Sequence, residues 1–153
     1  MCWLCDHPEA TRDDYFDLLR EKMRRHGWAV QYVEERRPFA YTIGLHDCGL
    51  PELLVTGVSP QRAVRLLNAV ARDAMRGRTL TPGEQFTLNA GPRIEIVEVD
   101  HPDAHLCWAV AFGGPIRAVQ LVWADGHGRW PWAPDFCDGR TRQPVLGYRR
   151  RAA

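Results

Sequence analysis

The stretch VQLVWADGHGRWPW, Val119 to Trp132, decides how the rest of the chain is read. Val119, Leu121 and Trp123 alternate with Gln120 and Val122. That period of two belongs to a strand with one face against a core. Asp125-Gly126 then breaks the run, and Gly128 follows. Such a pair marks a tight turn or hairpin, because glycine adopts the positive φ that these turns need. Arg129 to Trp132 lead back from the turn, and Pro131 restricts them to an edge or a loop. The expectation is a polar tip, Asp125 and His127, beside the indoles of Trp123, Trp130 and Trp132. Three readings of those indoles stand open: a core cluster, the walls of a ligand pocket, or a patch for a protein partner.

Working outward towards the N-terminus, Arg93 to Asp100 reads as a strand. Its apolar set moves from Ile94 and Ile96 to Val97 and Val99, a phase shift that a β-bulge would explain. His101 to Phe112 reads as a short helix opened by Pro102, and Gln85 to Asn89 as a short strand before the Gly91-Pro92 turn. The plainest helix begins at the N-cap Ser59, with Pro60 in its first turn, and ends at Gly77. Val64, Leu67, Val70, Ala71 and Ala74 form its apolar face, with Arg62, Arg65, Arg72 and Asp73 turned away. Leu53, Leu54 and Val55 read as a buried strand within Glu52 to Gly57. Phe39, Tyr41, Ile43 and Leu45 alternate with the small Ala40, Thr42 and Gly44, leaving a flat face for a helix or a ligand. Trp28, Val30 and Tyr32 alternate likewise, and the short link between the two runs predicts an antiparallel pair. A further helix is expected over Thr11 to His26, capped by Thr11, with Asp13 and Asp14 at its positive end and Gly27 after it. Towards the C-terminus, Gln143 to Gly147 is expected along a sheet edge.

The whole therefore predicts a single α+β domain: a mixed, mostly antiparallel sheet of five or six strands covered by two main helices. The chain of 153 residues is long enough for one such core. Its 45% hydrophobic and 25% charged residues are ordinary for a globular protein. A net charge of +1 gives no bulk attraction to nucleic acid, and the Arg149-Arg150-Arg151 run reads as a solvated end. No run of apolar residues suits a membrane span, and the N-terminus lacks a secretory pattern. Five cysteines without such a signal suit reduced thiols in the cytoplasm.

Candidate chemistry is sparse. Cys2, Cys5 and His7 supply half of a tetrahedral zinc site. The other half would have to come from His46 and Cys48, from His101, His105 and Cys107, or from Cys137. None repeats the C-x-x-C spacing, so the N-terminus is read as a strap with Trp3 and Leu4 in a groove. No metal or other cofactor is specified by any motif. Asp125 and His127 are the candidate acid–base pair, with the alternative that Asp125 serves its own turn. Tyr41 and His46, at and just past a strand end, sit at a natural rim. These two join Trp123, Asp125, His127, Trp130 and Trp132 as candidate ligand contacts.

The segments CWLCDHP at 2–8, FAYTIGL at 39–45, PELLVTG at 51–57, QLVWADGHGRWPW at 120–132 and QPVLG at 143–147 resemble a bacterial family of domains of unknown function that is common in actinobacteria. Ala124 departs from the proline expected there. The resemblance implies a stand-alone cytosolic domain and no particular reaction. More distantly, YTIGL followed by PELLV is similar to bacterial relatives of the suppressor-of-fused domain, which implies an interaction or immunity module. The expected function is binding of a small molecule or peptide near the tryptophan stretch. A small enzyme using the same pocket, with or without a metal, and a protein-interaction module are the alternatives.

Overall fold

The computed structural model describes residues 3–150. A one-turn helix, α1 (Trp3–Asp6), precedes α2 (Arg12–His26). Helix α2 starts where the sequence expects. Thr11 Oγ1 accepts from Asp14 N–H at 3.2 Å, and the Asp14 carboxylate accepts from Thr11 N–H at 2.8 Å. Gly27 closes it in the left-handed region. Strands β1 (Ala29–Val33), β2 (Phe39–Ile43) and β3 (Glu52–Thr56) follow, then α3 (Pro60–Met75). Ser59 caps α3 and Pro60 occupies its first turn. The chain continues through β4 (Gln85–Thr87), β5 (Arg93–Glu98), α4 (Cys107–Gly113) and β6 (Ala118–Trp123). Short 3-10 turns cover Leu45–Cys48, Pro102–Ala104 and Phe136–Gly139.

The six strands form one sheet in the order β1-β2-β3-β6-β5-β4. Only β3 and β6 run parallel, and every other pair is antiparallel. This is the mixed α+β domain that the sequence predicts. Helix α3 covers one face, over Leu53, Val55, Ile94, Ile96, Val119 and Leu121. Helices α1, α2 and α4 cover the other, over Tyr41, Ile43, Leu54, Val99 and Ala118. Among the described residues no helix is long and apolar enough to cross a membrane.

Four details differ from the sequence reading. Val64 is 42% exposed, whereas Ala63, Leu66, Leu67, Val70, Ala71 and Ala74 are buried. The apolar stripe is rotated by one position, and Val64 lines a hollow with Lys22, His26 and Trp28. No bulge interrupts β5, whose pairing with β6 runs unbroken from Ile94↔Trp123 to Glu98↔Val119. Its apolar phase shifts because both faces of this strand are covered. Ile94 and Ile96 meet α3, and Val97 and Val99 are buried on the reverse side. The region from His101 to Phe112 splits into a 3-10 turn and α4.

Residues 143–147 are the fourth detail, for they cross the sheet face rather than follow its edge. Gln143 bonds both the N–H and the C=O of Trp123, at 2.9 and 2.8 Å. The buried Gln120 side chain donates to Pro144 C=O at 2.8 Å and accepts from Leu146 N–H at 2.8 Å. Gly147 lies so close to β5 that a Cβ there would stand 1.8 Å from the Glu98 carbonyl oxygen. Glutamine side chains thus stand in for a ladder in the middle of a sheet face, where buried polar groups must find partners.

Candidate functional site

Strand β6 lies between β3 and β5, and β5 pairs with it as far as Trp123. On the other edge, where pairing with β3 ends at Gln120, the Gln143 side chain takes the Trp123 N–H and C=O, so among the described residues no return strand pairs with it. Of the two forms that the sequence offers here, a hairpin or a tight turn, the chain takes a closed loop. Asp125 N–H donates to Arg129 C=O, and Gly128 N–H donates back to Asp125 C=O, both at 2.9 Å. The Asp125 carboxylate braces this loop from inside. It accepts from the backbone N–H of His127, Arg129 and Cys137 at 2.8–2.9 Å and from Arg129 Nε at 2.8 Å. Arg129 continues to Asp135 and Asp138 at 3.3 and 3.0 Å. Asp125 therefore meets His127 through the backbone, and the His127 side chain is exposed. The carboxylate–imidazole pair considered from sequence is not formed, and the turn-serving alternative describes Asp125.

Burial of the Asp125 carboxyl pushes its pKa up, but the N–H groups of Cys137 and Arg129, the Arg129 guanidinium and the His127 N–H outweigh it. The result lies well below the usual carboxylate range. A depressed folded-state pKa stabilises the fold fully above the unfolded-state value, about 3.9. That stability is lost as pH falls from there towards the folded value. Urea melts between about pH 5 and pH 2 should accordingly show wild type losing more stability on acidification than Asp125→Asn. Parallel pH profiles for the two proteins would remove Asp125 from its bracing role.

The three tryptophans separate. Trp123 is 2% exposed, donates from Nε1 to Thr56 C=O at 2.9 Å and meets Phe136 at 5.2 Å. Trp130 and Trp132 stack on each other at 5.4 Å with 11° between planes, and Trp132 is 38% exposed. Arg93 lies over Trp130 at 5.6 Å and Arg149 over Trp132 at 3.4 Å. A polar chain closes the ring: Arg149 to Glu95 at 2.8 Å, Gln85 to Glu95 at 2.8 Å and Arg93 to Gln85 at 2.9 Å. The stacked pair thereby ties the loop after β6 to β4, β5 and the C-terminal segment.

Beside this loop runs a groove of about 690 Å³. Helix α3 contributes Arg62, Arg65, Leu66 and Ala69, the β4–β5 turn contributes Thr87 to Pro92, and Arg93 follows from β5. Ala124, Asp125, Gly126 and Gly128 close the far side. Its volume falls within the range of small-molecule sites, about 300–1,000 Å³. Leu66, Leu88 and Ala124 are buried and make an apolar floor. Arg62 lies over the Trp123 ring at 4.5 Å. Among the described residues Arg62, Arg65 and Arg93 form no ion pair, and Asp125 is spent within its own loop. Ala90, at the lip, holds φ at 54°, a conformation that costs free energy in a residue with a Cβ. The groove therefore carries positive charge over apolar surface.

Tyr41 and His46 lie elsewhere. Tyr41 is buried under α4, where its hydroxyl accepts from Trp108 N–H at 3.1 Å, and burial pushes its pKa up. His46 donates from Nδ1 to Glu52 at 2.6 Å. Glu52 is fully buried and also accepts from Thr42 Oγ1 and the N–H groups of Gly44, Leu45 and His46. Sequence reasoning passed over Glu52. The available signal was a carboxylate heading an otherwise apolar strand, which demands partners if it is buried.

Of the three N-terminal metal candidates, Cys2 lies outside the described residues. Cys5 is exposed, and His7 stacks on Trp3 at 4.3 Å while its Nδ1 bonds Trp3 C=O at 2.9 Å. Trp3 also stacks on Tyr15 at 5.5 Å. Among the described residues no three His, Cys, Asp or Glu side chains converge as metal ligands would.

The architecture and its loop-braced groove define an α+β domain with one mixed sheet between two helical layers. Residues 22–137, well over half of the chain, match the family model described as "Domain of unknown function (DUF4262)". The chain belongs to that family. No curated protein and no solved structure matches it.

Proposed function

We propose that this domain binds a small organic carboxylate with an apolar body in the groove between α3 and the loop after β6. The observation that carries the reading is the set Arg62, Arg65 and Arg93, which form no ion pair among the described residues and line one groove with the buried Leu66, Leu88 and Ala124. Guanidinium groups match a carboxylate through paired N–H donors. The floor suits an aliphatic or aryl body, because ligand sites combine apolar surface with a few polar groups. Trp123 supports Arg62 from below, and Trp130 supports Arg93. The tryptophans thus act in this reading by holding arginines, and the ligand meets the guanidinium groups.

The test is calorimetric titration of a set of aliphatic and aryl carboxylates, each paired with its neutral amide. Acids should bind and amides should not. Loss of one charge-assisted hydrogen bond costs about 1.5–3 kcal/mol, so Arg62→Ala or Arg65→Ala should weaken binding by about tenfold or more. Equal binding of acids and amides, or affinities untouched by both substitutions, would refute the reading.

A further inference from the structure

A second basic cleft lies where the β1–β2 turn meets the segment after the last 3-10 turn. Arg36 and Arg37 approach from one side, and Arg140 and Arg142 from the other, around Pro38 and Gly57. The hollow measures about 400 Å³ and adjoins one of about 460 Å³ that shares Arg37 and Arg142. All four arginines are exposed, and none of their side chains has a hydrogen bond, ion pair or ring contact among the described residues. Among the described residues no carboxylate lines the cleft; Glu34 and Glu35 precede the arginines in sequence but are not part of its wall. The whole chain carries a net charge of only +1, so four unneutralised charges here are a local concentration.

The two arms are fixed in place by β3. Gly57 N–H donates to Pro38 C=O at 3.4 Å, which holds the arm bearing Arg36 and Arg37. Thr56 Oγ1 donates to Pro144 C=O at 2.7 Å, and Gln143 is bonded to the Trp123 backbone, which hold the arm bearing Arg140 and Arg142. Gly57 has φ at 74°, and a Cβ there would stand 2.6 Å from the Arg142 carbonyl oxygen. Glycine at this point lets the second arm close against the first.

We infer that this cleft is a binding site for a small phosphate-rich ligand. Four guanidinium groups offer paired N–H donors that match phosphate oxygens. A concave space of this size suits a compact polyanion, whereas an extended nucleic acid would need a basic track along the surface. The cleft sets four arginines around the single buried apolar side chain of Val58, whereas the groove beside α3 sets three arginines over Leu66, Leu88 and Ala124, so the two sites select different anions.

Calorimetric titration with inorganic tripolyphosphate, at fixed ionic strength on the full chain, tests the inference. Saturable binding is expected, weakened about tenfold or more by Arg37→Ala combined with Arg142→Ala. Arg62→Ala combined with Arg65→Ala should leave it unchanged, which separates this site from the groove. Circular dichroism checks that each variant is folded, as expected for exposed arginines. Absence of saturable binding, or binding indifferent to Arg37 and Arg142, would overturn the inference. So would tighter binding of a single-stranded oligonucleotide, which would mark a nucleic-acid surface.

Discussion

Glu52→Ala is expected to cost about 3–5 kcal/mol of folding stability. The carboxylate is completely buried and accepts from Thr42 Oγ1 at 2.8 Å, Gly44 N–H at 2.8 Å, Leu45 N–H at 3.1 Å, His46 N–H at 3.4 Å and His46 Nδ1 at 2.6 Å. Truncation leaves these donors without an acceptor in a space closed to water, and the penalty is that of unmet buried donors. Thr42 is caught in the same net, because its oxygen also accepts from Leu53 N–H at 2.9 Å. The end of β2, the 3-10 turn and the head of β3 should therefore loosen together. Urea denaturation with an unchanged m-value measures the loss. A cost below about 1 kcal/mol would show that the turn holds itself without the carboxylate.

Trp123→Ala is expected to cost a similar amount, about 3–5 kcal/mol. The indole is the last inward side chain of β6, under Arg62 and against Phe136. Its removal empties a core site and strips Thr56 C=O of the Nε1–H donor. Trp132→Ala should cost clearly less, since that ring is 38% exposed and its stacking partners remain beside solvent. The comparison is internal: two tryptophans nine positions apart in sequence, judged in one denaturation series. Equal costs would contradict the separation of the three indoles into one core ring and a surface pair.

Periodicity carried most of the fold. The small face of β2 announced a covering helix, and α3 does pack on Ala40. Ser59, Pro60, Thr11 and Gly27 placed the helix ends because capping is local chemistry. Pairing partners were not local. Nothing in VQLVW says that β5 pairs with one edge of Trp123 and that the distant Gln143 takes the other, which leaves the loop and not the hairpin as the form of the turn after it. Val97 and Val99 read as a bulge only while one face of β5 is taken to be wet, and helices cover both faces of the sheet. Among the candidate site residues, Asp125 proved legible as a turn residue and Trp123 as the end of a core strand. The groove itself was not legible, because Arg62, Arg65 and Arg93 come from two distant elements and read singly as solvated charges. Glu52 was hidden for a related reason: its five donors come from residues 42–46, and only the turn brings them round it.

Mapping the site by NMR tests whether the groove beside α3 holds a small carboxylate. An aryl carboxylate titrated into 15N-labelled protein and followed by amide NMR shifts reports which residues meet it. Saturating shifts are expected on Leu66, Ala69, Gly91, Gly126 and Gly128, together with the Trp130 indole N–H. Shifts centred instead on residues 36–38 and 140–142, or none that saturate, would contradict carboxylate binding in the groove.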